Sequence, residues 1–159
     1  MERKLLITLL LAFQITALQA QEHDEEKTHN GIYELIGSMI YSYSMGHEKA
    51  NFGNEFHFTY WWNHTWGAGI SYTRLYDDHK TNSIALLGSV NPKKWMTLNI
   101  GPNLSFSKNY EEFHHEIGGY LEVEFNIRPV RWFHVGPVIG GVVSENSELY
   151  GGVHLGFEL

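Results

Sequence analysis

The 159-residue chain contains no cysteine, so it forms no disulfide and offers no thiol for an amino-terminal lipid anchor. It is short of positive charge: 11 Lys and Arg stand against 18 Asp and Glu, a net of −7 with neutral His. Phosphate recognition needs a basic surface, so nucleic acid is excluded as a partner. Beyond residue 20 no apolar stretch approaches the ~20 residues of a membrane-spanning helix. Any membrane reading must therefore come from strands. Catalytic signatures are missing as well. There is no G-x-S-x-G, no phosphate-cradling G-x-x-x-x-G-K-[ST] and no G-x-G-x-x-G.

The chain begins with the basic segment Met1-Glu2-Arg3-Lys4, followed by the apolar run Leu5–Phe13 and a small residue at Ala20. This predicts a secretory signal peptide over residues 1–20, cleaved before Gln21. Cleavage removes Glu2, Arg3 and Lys4 and takes the net charge from −7 to −8. Residues 21–30, Q-E-H-D-E-E-K-T-H-N, are polar without periodicity and read as an amino-terminal tail.

Residues 31–159 alternate with period two. In Trp95–Ser107 one row is Met96, Leu98, Ile100, Pro102, Leu104 and Phe106, and the other Thr97, Asn99, Gly101, Asn103, Ser105 and Ser107. Successive side chains of a strand point to opposite faces, so this is a strand with one apolar and one small polar face. Eight such segments fall at about 31–44, 52–62, 66–76, 81–91, 95–108, 114–127, 131–143 and 149–159. Two kinds of connection alternate between them. Trp62–Trp66, Asn91–Trp95 and Arg128–Trp132 are tight and aromatic. Met45–Asn51, Asp77–Lys80, Asn109–Phe113 and Ser144–Glu148 are polar and acidic. Turns at one end and loops at the other are the pattern of a hairpin barrel. The expected fold is all-β: an eight-stranded antiparallel up-and-down transmembrane β-barrel. Pro102 and Pro137 interrupt two strands, each after a glycine, and are expected to mark bulges or bends.

Parity alone leaves open which row faces in. A soluble lipocalin-like ligand carrier would bury the apolar row. Three features favour the inverse: the make-up of the polar row, the aromatics at the strand ends, and the basic residues Lys93, Lys94, Arg128 and Arg131 at the turn end. The polar row is Gly, Ser, Thr, Asn, Glu and His with almost no Lys, unlike a soluble surface. Small residues suit the narrow interior of an eight-strand barrel. Aromatics collect at the strand ends as two girdles: Trp61, Trp62, Trp66, Trp95, Trp132 and Phe133 at the turns, and Tyr43, Phe52, Tyr76, Tyr110, Phe113 and Tyr150 near the loops.

These alternating strands, the signal peptide and the last segment L-Y-G-G-V-H-L-G-F-E-L over 149–159 resemble the small outer-membrane β-barrel proteins of Gram-negative bacteria. The resemblance covers residues 31–159 and implies location in the cell outer membrane. It also implies outer-membrane lipid as surroundings, recognition by the barrel-assembly machinery during biogenesis, and a monomer. In that family the last strand commonly ends in an aromatic. Here it ends in Leu159, with Phe157 two residues earlier.

The interior row carries Glu34, Glu55, Glu116, Glu122, Glu124 and Glu158, faced by His57, His134 and His154. Buried carboxylates need partners, so a hydrogen-bonded plug is the expectation. The sharper possibility is a narrow transport path or a divalent-metal site. Its candidate ligands are His57, His134, His154, Glu55, Glu122 and Glu124, since imidazole with carboxylate suits zinc, copper or nickel. A second candidate is the acidic, His-bearing mouth of Asp77-Asp78-His79 and Glu111–His115, weighed against an ordinary solvated loop. A rim triad is conceivable from Ser144 or Ser147 with Glu145, Glu148, His114 or His115, but nothing in their spacing singles it out. No catalytic residue and no cofactor is assigned. The expected role is structural or interactive.

Overall fold

The computed structural model describes residues 31–159, apart from residues 47, 78, 79 and 109–112 and the side chains of 108 and 113. The expected signal peptide (1–20) and tail (21–30), together with Asp78, His79, Tyr110, Glu111 and Glu112, lie outside the described residues. Among the described residues nine strands form one antiparallel sheet: β1 Ile32–Ser44, β2 Lys49–Trp61, β3 Trp66–Leu75, β4 Asn82–Lys93, β5 Met96–Lys108, β6 Phe113–Phe125, β7 Ile127–Val130, β8 Phe133–Val143 and β9 Glu148–Glu158. Each pairs with its sequence neighbour except at one place: β6 and β7 both pair with β8 and together make a single stave. With β9 paired to β1, the sheet closes into an eight-staved barrel.

The register sets the barrel's shape. A path across paired residues runs Ile32, Trp61, Gly67, Ser89, Asn99, Glu122, Gly140, Tyr150 and returns to β1 at Ser42. It arrives ten residues beyond its start. A shear of ten over eight staves tilts the strands roughly 40° to the axis, given the usual rise and spacing of strands. The interior of such a barrel is just wide enough for side chains to fill.

The apolar row faces out and the polar row faces in. Tyr33, Leu35, Met39, Phe56, Phe58, Ile70, Leu86, Ile100, Leu104, Leu121, Ile139, Val153 and Leu155 are exposed on the outer wall. Glu34, Ser38, Glu55, His57, Ser71, Ser89, Asn99, Glu122, Glu124, His134 and His154 are buried inside. This overturns the soluble-carrier alternative, which required an apolar cavity. Turn-end aromatics Trp62, Trp66, Trp95 and Trp132 stay outside, with Trp95 stacked on Phe125 (ring centroids 6.0 Å apart) and Trp132 on Phe157 (6.1 Å). Tyr41, Tyr43, Phe52 and Tyr76 stand outside at the loop end. Two expected girdle members do not belong there. Trp61 and Tyr150 are inside, 7% and 6% exposed. Tyr60 already faces out, so its neighbour Trp61 must face in, and Tyr150 shares parity with buried His154.

The proline-bearing segments divide differently from the expectation. Opposite Gly101–Pro102 the β4–β5 ladder opens at Leu86 and Leu87, then resumes in the same register. On the other side Pro102 pairs regularly with Gly119. Opposite Gly136–Pro137 the ladder opens at Phe125 and Asn126, again without a shift, while Pro137 pairs with Val153. That second opening is what separates β6 from β7, and the Asn126 N–H donates instead to the Trp95 carbonyl at 2.8 Å. Proline donates no N–H to the ladder, so pairing lapses on one side only. Neither site is a bulge, because no residue is inserted. The register shifts occur at Val90–Lys93 and Ile127–Val130, around Pro92 and Pro129, just before the two turns Lys94–Trp95 and Arg131–Trp132.

Candidate functional site

The barrel interior holds two polar clusters and an apolar layer. Ile40, Leu75, Leu87, Val138 and Val142 form that layer toward the loop end, against the rings of Tyr120 and Tyr150. Its aliphatic members were missed in the sequence because they sit in the otherwise polar row. The same parity that buries Ser38 and Ser42 buries Ile40.

The central cluster takes Glu55 and His57 from β2, Asn99 from β5, and Tyr120, Glu122 and Glu124 from β6. Alternation puts residues two apart on one face, so each strand contributes its pair or triplet by its own period. Glu55 Oε1 accepts from Ser71 Oγ (3.2 Å), Thr73 Oγ1 (2.9 Å) and the Tyr120 hydroxyl (3.0 Å). His57 lies between the carboxylates. Its Nε2 is 3.4 Å from Glu55 Oε1 and 3.2 Å from the Tyr120 hydroxyl. Its Nδ1 is 3.3 Å from Glu124 Oε1 and 3.7 Å from Glu122 Oε1. Asn99 Nδ2 donates to both Glu122 Oε1 (3.1 Å) and Glu124 Oε1 (2.9 Å), and its own Oδ1 accepts from Ser89. The Tyr150 hydroxyl donates to Glu122 Oε2 at 3.0 Å. One ligand atom each from Glu55, His57 and Glu122 lie within 4.8 Å of one another, a grouping able to hold a metal ion.

The second cluster sits near the turn end. Glu34 accepts from Trp61 Nε1 at 2.8 Å through Oε2 and faces His134 Nε2 at 2.9 Å through Oε1. His134 Nδ1 meets His154 Nε2 at 3.2 Å, and His154 Nε2 is 3.0 Å from Asn126 Oδ1. Asn126 Nδ2 donates to Thr97 Oγ1. Of the six candidate ligands, then, the fold brings together Glu55, His57, Glu122 and Glu124. It places His134 and His154 in a separate group around Glu34. Glu158 pairs with Arg128, a partner the interior row did not reveal because Arg128 reads as a turn residue.

At the loop end a vestibule of about 410 Å³ opens between the loops, lined in part by Lys49, Asp77, His114, His115, Glu116 and Glu148. The loops are tied to each other: the Met45 N–H donates to the Ser147 carbonyl (2.9 Å) and the Asn146 N–H to Glu116 Oε1 (2.7 Å). Ser147 Oγ donates to the Ser144 carbonyl (2.9 Å), which turns it away from the role of a nucleophile.

No protein-family model matches the sequence, and no curated protein matches it. Solved structures do. The N-terminal β-barrel domain of Pseudomonas aeruginosa OprF superposes with a TM-score of 0.63 at 12% identity, over 84% of this chain and 100% of that one. Ail, the attachment invasion locus protein of Yersinia pestis, gives 0.57 at 11% identity over 83% and 100%. Neisserial surface protein A gives 0.50 at 10% identity over 84% and 99%. Identity this low carries the fold alone. The outward apolar wall, the polar interior and these likenesses agree: the chain has the fold of the small eight-stranded outer-membrane β-barrels of Gram-negative bacteria.

Proposed function

We propose that this protein is a lipid-embedded barrel of the outer membrane whose role is structural or one of interaction in the cell envelope. The observation that carries the reading is the filled interior. Two hydrogen-bonded clusters and an apolar layer occupy the bore of a barrel already too narrow for a channel; open pores use 16–18 strands. With no path through the middle, the surfaces left for work are the outer wall and the loop rim. The described loops are short, cross-tied and acidic, so the rim is a small platform with the vestibule as a recess in it. The surroundings are lipid, the barrel acts as a monomer, and no catalysis is assigned.

The test is fractionation of expressing cells, followed by gel mobility before and after boiling and conductance in a planar bilayer. The expected result is outer-membrane location, a mobility shift on heating, and no steady conductance above bare lipid. A periplasmic soluble protein, or a steady open channel, overturns the reading.

A further inference from the structure

The central cluster has a charge problem that the second cluster lacks. Glu55, Glu122 and Glu124 surround one imidazole, and no Lys or Arg is buried among the described residues. Even with His57 protonated, three ionised carboxylates leave an excess of negative charge in a site shut off from water, which is relieved either by protons or by a bound cation. Glu34, by contrast, has both oxygens occupied by Trp61 and His134.

The geometry adds a second, independent observation. His57 Nδ1 is buried and makes no hydrogen bond, although two carboxylate oxygens lie 3.3 and 3.7 Å away; Glu55 Oε2 and Glu124 Oε2 are likewise buried without a partner. Donor atoms gathered around a tetrahedral ion with bonds of about 2.0–2.2 Å stand roughly 3.3–3.6 Å apart. Glu124 Oε1 at 3.3 Å and Glu122 Oε1 at 3.7 Å from Nδ1 come near that spacing, and Glu55 Oε1 stands 3.4 Å from Nε2, with Glu55, His57 and Glu122 each offering a ligand atom within 4.8 Å of the others. Around it Asn99, Tyr150, Thr73, Ser71 and Tyr120 hold the carboxylates in place, as the neighbours of metal ligands do.

We propose that Glu55, His57, Glu122 and Glu124 form a buried binding site for one divalent cation of the Zn²⁺ class inside the barrel. One nitrogen and several carboxylate oxygens in a compact set suit zinc, whereas calcium takes 6–8 oxygen ligands. The ion neutralises the carboxylate excess and cross-links β2 to β6, two staves on different parts of the wall. The apolar layer above the site and the turn-end cluster below it exclude water, so the ion enters as the barrel closes and binding is linked to folding.

The proposal is tested on the full chain, unfolded in urea with a chelator and refolded in detergent with or without ZnCl2. Heat-modifiable mobility reports folding separately from metal content. The expected result is one zinc per folded chain after desalting and a higher melting midpoint with zinc than without. His57→Gln and Glu122→Gln should fold yet lose affinity by more than about 100-fold. Asn99→Ala should lose about 10–100-fold, the range of an orienting neighbour. The double variant His114→Asn/His115→Asn, at the mouth, should bind as the parent does. Parent barrel that folds in ZnCl2 yet holds no zinc after desalting overturns the proposal, as does zinc retained by His57→Gln and lost from the mouth variant. Should the interior variants fail to fold, Co²⁺ absorption of the parent decides: a tetrahedral N/O spectrum supports the site, and an octahedral aqueous spectrum overturns it.

Discussion

Glu34 carries two partners from distant parts of the chain, Trp61 27 residues later and His134 100 residues later. A buried carboxylate deprived of one donor bears its own desolvation penalty, about 1–3 kcal/mol. Trp61→Phe keeps most of the ring and removes the donor, so it should destabilise the barrel by about that amount in urea unfolding from lipid vesicles. Trp62→Phe, one residue away on the outer wall, should stay within about 0.5 kcal/mol. The pair tests parity at a single step of the chain. The expectation of a turn-end girdle grouped these two tryptophans together, because a count of aromatics near a turn ignores which face each occupies. The local alternation contained the correction all along.

Strands and turns were largely legible, for a physical reason: period two is a property of the backbone and shows in any eight-residue window. The expected segment 66–76 became β3 Trp66–Leu75, and 95–108 became β5 Met96–Lys108. The split of the sixth stave at Asn126 was not legible there, because its cause, Gly136–Pro137, lies on the facing strand. Glycine is needed at both openings. A Cβ on Gly101 would run into the Leu86 carbonyl oxygen, and one on Gly136 into that of Phe125. Gly101→Ala should therefore destabilise by at least about 2 kcal/mol, in the upper part of the overpacking range, and lower the yield of heat-modifiable barrel. Gly119→Ala, with nothing within 4 Å of the added carbon, should be neutral or stabilising by up to about 1 kcal/mol. Equal effects of the two substitutions would show that the ladder does not open at Leu86.

The whole molecule is an inverted barrel, and its outer wall meets lipid. Met39, near the middle of β1, is 74% exposed. Met39→Arg should cost about 2–4 kcal/mol when unfolding is measured from a bilayer, the penalty of a cation near the midplane of a barrel's lipid face. An unchanged stability would mean that residue 39 meets water. The filled bore makes its own forecast at this scale, the absence of steady conductance.

Alternation along the chain determined on its own which residues share a face, where the turns fall and that the Glu and His residues lie in one row, because each of these follows from a repeat two residues long. Which face turns inward was suggested by composition and decided by closure: only a sheet joined edge to edge has an inside. The partnerships within that inside were decided by tertiary structure alone. Glu55 meets Tyr120, and Glu122 meets Tyr150, because a shear of ten residues carries β2, β6 and β9 to a common height across the bore. No local pattern encodes that offset, since it is set by the summed register of all eight staves around the ring.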